Sequence, residues 1–262
     1  MSYWNGLRAK PTKKLCFIGS SHMRALTNAW NQTLASQYPE YTARFFASPL
    51  IKLFQAEFLY NKISAPVGSD LERFVLRFSQ STSLEIDTYD AFIFQSLALP
   101  YHEFLPLSEQ LYGKNGQEQQ YISRSCLAAG LDLHFQTLPE KLYLDHISRY
   151  SSAPIVMSIA PKHSSLALER ERVKYEAYLN YAELFDQLFW EGCQRYLAGY
   201  ANLHFLRQPP ETLENRYWTK LEYCSTYGQE PVEQITDYVH QNANYGKVVL
   251  DEIVKLLKSL QI

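Results

Sequence analysis

Two short stretches far apart in the chain carry residue types that can do covalent chemistry together. Leu15-Cys16-Phe17-Ile18-Gly19-Ser20-Ser21-His22 is an apolar run that ends in a glycine turn and hands a serine to the start of a helical pattern. That placement leaves a hydroxyl exposed on rigid supports. Asp237-Tyr238-Val239-His240 sets a carboxylate and an imidazole three residues apart, just before an amphipathic stretch. A serine hydroxyl needs a base to become a nucleophile, and the base needs a carboxylate to hold its tautomer. Ser21, His240 and Asp237 are therefore the candidate members of a Ser-His-Asp hydrolytic centre. Ser21 also has a plainer role open to it, as a cap for the helix that begins beside it.

The elements that must bring these residues together follow from hydrophobic patterning. Leu15 to Ile18 reads as a buried strand, and Met23, Leu26, Ala29, Trp30 and Leu34 keep helical spacing from His22 to about Ser36. Tyr41 to Ala47 is a second strand stopped by Ser48-Pro49, and Tyr89 to Ser96 is a third, an apolar run ending at Gln95-Ser96. A helical stretch runs from about Gln117 to His146, with Gly130 as its expected interruption. Pro154 to Ile159 is a fourth strand followed by Pro161-Lys162-His163, and Leu168 to Leu197 is helical with an expected break. Asn202 to Leu206 is a fifth strand; Val249, Ile253, Leu256, Leu257 and Leu260 mark a last helix with Asn242 as its N-cap. Residues from about 50 to 87 show no single period and read as an irregular, turn-rich insertion in an otherwise single domain spanning 1–262.

Strands alternating with helices predict a parallel sheet covered on both faces, with ligands at the strands' carboxyl ends. Ser21, Ser48, Gln95, Ser96, His163, Asp237 and His240 all fall on that edge in this arrangement. Ser48, Gln95, Ser96, His22 and His163 are accordingly the candidate oxyanion- or substrate-contacting groups.

Composition narrows the function classes. A net charge of −2 gives no bulk electrostatic reason to bind nucleic acid or an anionic membrane. No apolar run reaches the length of a membrane span, the polar and basic first residues do not read as a secretory signal, and the cytosol is the expected compartment. The cysteines Cys16, Cys126, Cys193 and Cys224 lack the spacing of a zinc site or a disulfide framework, so no metal and no cofactor are expected. Aromatic residues make up 15% of the chain, 20 of them Tyr, which suits either half-buried helical positions or a ring-stacking groove. A nucleotide-binding reading has only Gly19 in the first turn to support it.

Gly19-Ser20-Ser21-His22 together with Asp237-x-x-His240 resembles the SGNH/GDSL hydrolase superfamily, in the Gly-x-Ser-His variant of its nucleophile block. The resemblance follows element order from about Leu15 onward, and only its two ends match by motif. It implies a flavodoxin-like three-layer α/β sandwich with about five parallel strands. It also implies Ser21 as nucleophile, His240 as general base and Asp237 as the orienting carboxylate. The implied activity is hydrolysis of an acyl ester, an acetyl ester first, with a carbohydrate as one candidate carrier. The alternatives are a polysaccharide O-acyltransferase using the same residues and a non-catalytic carbohydrate- or ligand-binding module on the same fold. The chain departs from the family pattern where the block-one Asp is Ser20, where no glycine stands near Ser48-Pro49, and where Leu97-Ala98-Leu99-Pro100 replaces a Gly-x-Asn-Asp block. Two customary oxyanion donors are thereby displaced, and Ser48, Gln95 and Ser96 are the substitutes the sequence offers.

Overall fold

The computed structural model describes residues 12–95 and 123–262, without 173, 174, 176–178 and 180. Its centre is a five-stranded parallel sheet built from β1 (Lys13–Gly19), β2 (Tyr41–Ala47), β3 (Ala91–Gln95), β4 (Ile155–Ser158) and β5 (Leu203–Leu206) in the order β2-β1-β3-β4-β5. This is the flavodoxin-like order, in which the chain reverses direction across the sheet between β1 and β3. It is the architecture that the resemblance to SGNH hydrolases implies.

Strand alternation divides the core in two. Cys16, Ile18, Phe92, Phe94, Ile155 and Met157 face one layer, while Leu15, Phe17, Ala91, Ile93 and Val156 face the other. A strand buried on both faces must be apolar at every position, which is why β1, β3 and β4 read as unbroken apolar runs rather than as alternating ones. The second layer is closed by α1 (Met23–Ala29) and the last helix; the first is closed by α2 (Arg124–Thr137), α3 (Pro139–Tyr150) and α4 (Ala182–Leu197). That last helix, α5 (Ala243–Ser259), is capped by Asn242, whose side chain accepts from the backbone N–H groups of Asn244 and Tyr245 at 3.0 and 3.2 Å.

Several local features differ from the sequence reading. The helix expected from His22 to Ser36 contains a π-turn at Trp30–Leu34 before a final turn at Ala35–Gln37, and both Trp30 and Leu34 stay buried through it. The break in the 117–146 stretch falls at Leu138, whose extended backbone precedes the proline that opens α3, and Gly130 lies inside α2. Proline restricts the residue before it to extended conformations, so the proline outranks the glycine as the breaker. The segment around 50–87 holds a three-stranded antiparallel sheet from Glu57–Leu59, Lys62–Ser64 and Ser83–Glu85, and a short helix Asp70–Val75 whose N-cap Ser69 accepts from Glu72 N–H. Its three strands are too short to show a period.

Two glycines are required by close approach. A Cβ on Gly19 would lie 2.5 Å from the carbonyl oxygen of Gln95, so the tight turn into Ser20-Ser21 depends on its absence. On α5, a Cβ at Gly246 would lie 2.1 Å from the carbonyl oxygen of Ala25 on α1. Backbone cannot yield there as a flexible side chain can, so Gly246→Ala must push the two helices apart. The substitution is expected to lower stability by about 1–3 kcal/mol, read as a shift in the denaturant midpoint; an unchanged midpoint would show that the crossing is looser than described.

Candidate active site

The strand register sets one row of residues along the carboxyl edge of the sheet. Gly19 pairs with Ala47 on one side and Gln95 on the other, Gln95 pairs with Ser158, and Ser158 with Leu206. Ser21 stands two residues beyond this row, in the turn between β1 and α1, at the point where the strand order reverses. Crevices in open parallel sheets form at this point because the flanking connections leave on opposite faces.

Ser21 Oγ lies 2.9 Å from His240 Nε2, and His240 Nδ1 lies 3.0 and 3.1 Å from the two oxygens of Asp237. A carboxylate only accepts, so the ring hydrogen sits on Nδ1 and donates to Asp237. Nε2 is then the acceptor, and the Ser21 hydroxyl donates to it. This is the polarity a general base needs. Asp237 also accepts from Ser225 Oγ at 2.9 Å and from the backbone N–H groups of His240 and Val239 at 3.0 and 3.3 Å. The His240 ring, as hydrogen-bond partner and charge, holds the Asp237 carboxyl well below the usual carboxylate range, with the other donors adding to it and partial burial opposing it.

The loop that carries His240 is pinned from outside. The backbone N–H of Ser225 donates to the His240 carbonyl at 3.0 Å, Asn242 N–H donates to the Tyr223 carbonyl at 2.9 Å, and Cys224 pairs with Gln241 as an isolated antiparallel bridge. The Asn242 amide adds bonds to the carbonyls of Glu222 and Cys224. Ser225 and Gln241 thus belong to the site, although no motif in the sequence points to them; the signal would have had to be a loop–loop pairing, which has no period.

The remaining candidates separate into distinct environments. His22 Nδ1 lies 3.1 Å from Gln241 Oε1, and its ring centre lies 5.0 Å from that of His240. Gln241 Nε2 donates to the Val239 carbonyl, so Oε1 is the atom that faces His22 and His22 is the donor. Ser48 is buried, and its backbone N–H donates to the Gly19 carbonyl at 3.1 Å, while its hydroxyl has no hydrogen-bond partner among the described residues. Gln95 is also buried, and its carbonyl accepts from Ser20 N–H at 3.3 Å. The backbone N–H of Ser21 takes part in no hydrogen bond among the described residues. His163 has its Nδ1 2.5 Å from the Tyr175 hydroxyl and its ring edge-on to Tyr175 and Tyr238. Ser96 lies outside the described residues.

Ser21, His22, Asp237 and His240 open into a cleft of about 600 Å³ between α1, the 225–229 loop and the start of α5. Among the described residues no group of His, Cys, Asp and Glu side chains is arranged to hold a metal ion, and no helix is long and apolar enough to cross a membrane.

No protein-family model matches the chain, and no curated protein matches it by sequence. Solved structures similar to it include a family two carbohydrate esterase from Clostridium thermocellum in complex with cellohexaose, at 13% identity over 97% of this chain and 66% of that one, with a TM-score of 0.43. The periplasmic domain of a lipopolysaccharide acetyltransferase from Salmonella ser. Paratyphi A matches at 9% identity over 95% and 85% of the two chains, with a TM-score of 0.45. A carbohydrate acetylesterase family member from Sinorhizobium meliloti matches at 12% identity over 94% and 98%, with a TM-score of 0.43. The chain spans about two thirds of the length of the Clostridium esterase.

The lowered acidity range of Asp237 gives a direction for stability against pH. A carboxyl held below its ordinary value of 3.8 in the folded state contributes stability that is present above that value and is lost progressively as pH falls from there toward the lower value it holds in the folded state. Asp237→Asn is therefore expected to be less stable at neutral pH, by no more than about 1 kcal/mol because the carboxylate is partly exposed and screened. The gap to the unaltered protein should begin to narrow below about pH 4 and keep narrowing as the pH falls further, measured by denaturant titration at several pH values. A gap that widens in acid would contradict the assignment.

Proposed function

We propose that this chain is a serine hydrolase that cleaves acyl esters, acetyl esters foremost, through Ser21, His240 and Asp237. The observation that supports it most is the hydrogen-bonded relay from Ser21 Oγ to His240 Nε2 and from His240 Nδ1 to Asp237, set in the crevice of a parallel sheet. In this reading Ser21 Oγ attacks the ester carbonyl as His240 Nε2 takes its proton. The tetrahedral intermediate collapses as the same nitrogen protonates the departing alcohol, leaving an acyl-Ser21. Water then attacks the acyl carbon, giving up its proton to His240, and the carboxylic acid leaves as Ser21 recovers its hydrogen. Asp237 keeps the tautomer and steadies the imidazolium without accepting the proton. If the hydroxyl of a second alcohol replaces water in the last step, the same residues perform acyl transfer.

The oxyanion formed in the first step needs hydrogen-bond donors aimed at it. The Ser21 backbone N–H is one candidate, since nothing among the described residues uses it. For the second, the Ser48 backbone N–H is already committed to Gly19, which leaves the Ser48 hydroxyl. A buried hydroxyl without a partner is costly to keep, and an oxyanion arriving beside it would supply the missing acceptor.

Two experiments test this reading. A fluorophosphonate should label the protein at Ser21, and Ser21→Ala should abolish both labelling and the release of p-nitrophenol from short-chain p-nitrophenyl esters. An unlabelled, inactive protein would favour a binding module. Ser48→Ala should lower kcat by roughly 10²–10³ with KM little changed, as expected when a donor acts only in the transition state; a loss confined to KM would remove Ser48 from that role.

A further inference from the structure

The reading above leaves open what the alcohol half of the ester is, and the cleft beside His240 carries information on that. His240 must protonate the departing oxygen, so the alcohol lies on the His240 side of Ser21. The cleft opens on that side: it is lined by the site residues, the 225–229 loop and the first residues of α5, whereas Ser48 and Gln95 do not line it. It is therefore the seat of the alcohol and not of the acyl group.

Its walls are polar. Asn28 and Gln32 follow Arg24 at four-residue steps along one ridge of the first helix, and Gln229 and Asn244 face the same space from the opposite wall, all with exposed side chains. Amides that both donate and accept suit a polyhydroxylated partner. Tyr227, 44% exposed, adds a ring face at the cleft wall. Among the described residues Arg24 is the one cationic side chain lining the cleft, and its guanidinium makes no hydrogen bond or ion pair with them. Asp237, the one carboxylate lining the cleft among the described residues, is already engaged by His240 and Ser225. Arg24 follows Ser21 by three residues, with its N–H bonded to the Ser21 carbonyl, so it projects from the helical turn next to the nucleophile. Such a guanidinium presents a fork of donors that no acceptor among the described residues takes up.

We propose that Arg24 is a specificity-determining residue: the cleft takes a sugar-like alcohol that carries an anionic group, a carboxylate or a phosphate, and Arg24 binds that anion. The proposal rests on the ester-hydrolase reading for its assignment of the alcohol side, but anion binding can be read without catalysis.

The test has two arms. In the first, the full chain is assayed for acetate release from mono-O-acetylated methyl glucoside, methyl glucuronide and glucose 6-phosphate. The anionic esters should exceed the neutral one in kcat/KM by roughly tenfold, the size of a part-exposed charge-assisted contact. Arg24→Gln should bring that ratio near one, and Arg24→Lys should keep part of it. Because the ratio is taken within each variant, a loss of folded protein cancels. Salt at about 0.5 M should shrink the ratio in the unaltered protein and leave it flat in Arg24→Gln. In the second arm, Ser21→Ala protein is titrated with unacetylated methyl glucuronide, glucose 6-phosphate and methyl glucoside, with binding followed by NMR. Arg24-dependent preference for the anionic probes supports the proposal even if no ester is cleaved, in which case the hydrolase reading alone fails. Preference for glucuronide over the phosphate, or the reverse, identifies the anion. Equal handling of neutral and anionic probes, or a preference untouched by Arg24→Gln, overturns the proposal.

Discussion

The contact on which the site depends is the crossing of α5 over α1 at Gly246. α1 begins just after Ser21, and α5 begins just after His240, so the distance between these two side chains is set by how closely the two helices lie. With no side chain at Gly246, the backbone of α5 comes so near the Ala25 carbonyl that even a methyl group would overlap it. Around this point the apolar faces of both helices, Met23, Leu26, Tyr245, Val249 and Leu250 among them, fill the layer beneath β1 and β3. The crossing is thus held by packing that has nothing to do with chemistry. A 2.9 Å hydrogen bond at the helix ends is its product.

Rigid helices alone would not orient the imidazole, and the second source of order is polar. Asp237 folds back on its own backbone, accepting from Val239 and His240 N–H as short polar side chains do in turns. The same carboxylate holds the His240 ring and the Ser225 hydroxyl, and Asn242 ties the loop to the segment before it while capping α5. Two short polar side chains, Asp237 and Asn242, therefore serve three purposes in the stretch 237–242: closing the turn, starting the helix and placing the His240 ring. The cost of burying part of a charge is offset by the number of donors around it.

Much of this is legible in the amino-acid sequence, for identifiable reasons. Apolar runs such as Phe92-Ile93-Phe94 announce strands covered on both faces, and strand–helix alternation leads to a parallel sheet whose carboxyl edge gathers Ser21, Ser48 and Gln95. The nearness of Ser21 to His240 follows from the same rule, since both lie in loops on that edge. What the pattern does not carry is anything settled by backbone direction or by pairing between loops. Nothing in the residue type of Ser48 tells that its N–H is spent on Gly19 while its hydroxyl is spare. Ser225 and Gln241 enter through a two-residue bridge, too short to show periodicity. Gly130 looked like a breaker by type, yet the rigid ring at the start of α3 decides where the chain turns.

The Ser21–His240 bond joins residues 219 positions apart, with four of the five strands of the sheet lying between its ends in sequence. Few local contacts can stand in for such a closure, and its entropy is recovered only when the last helix docks. A chain emerging during synthesis has therefore laid down its sheet before His240 can reach Ser21. Until that final docking the Ser21 hydroxyl has no imidazole beside it, so the pairing of Ser21 with His240 is itself a mark of completed folding.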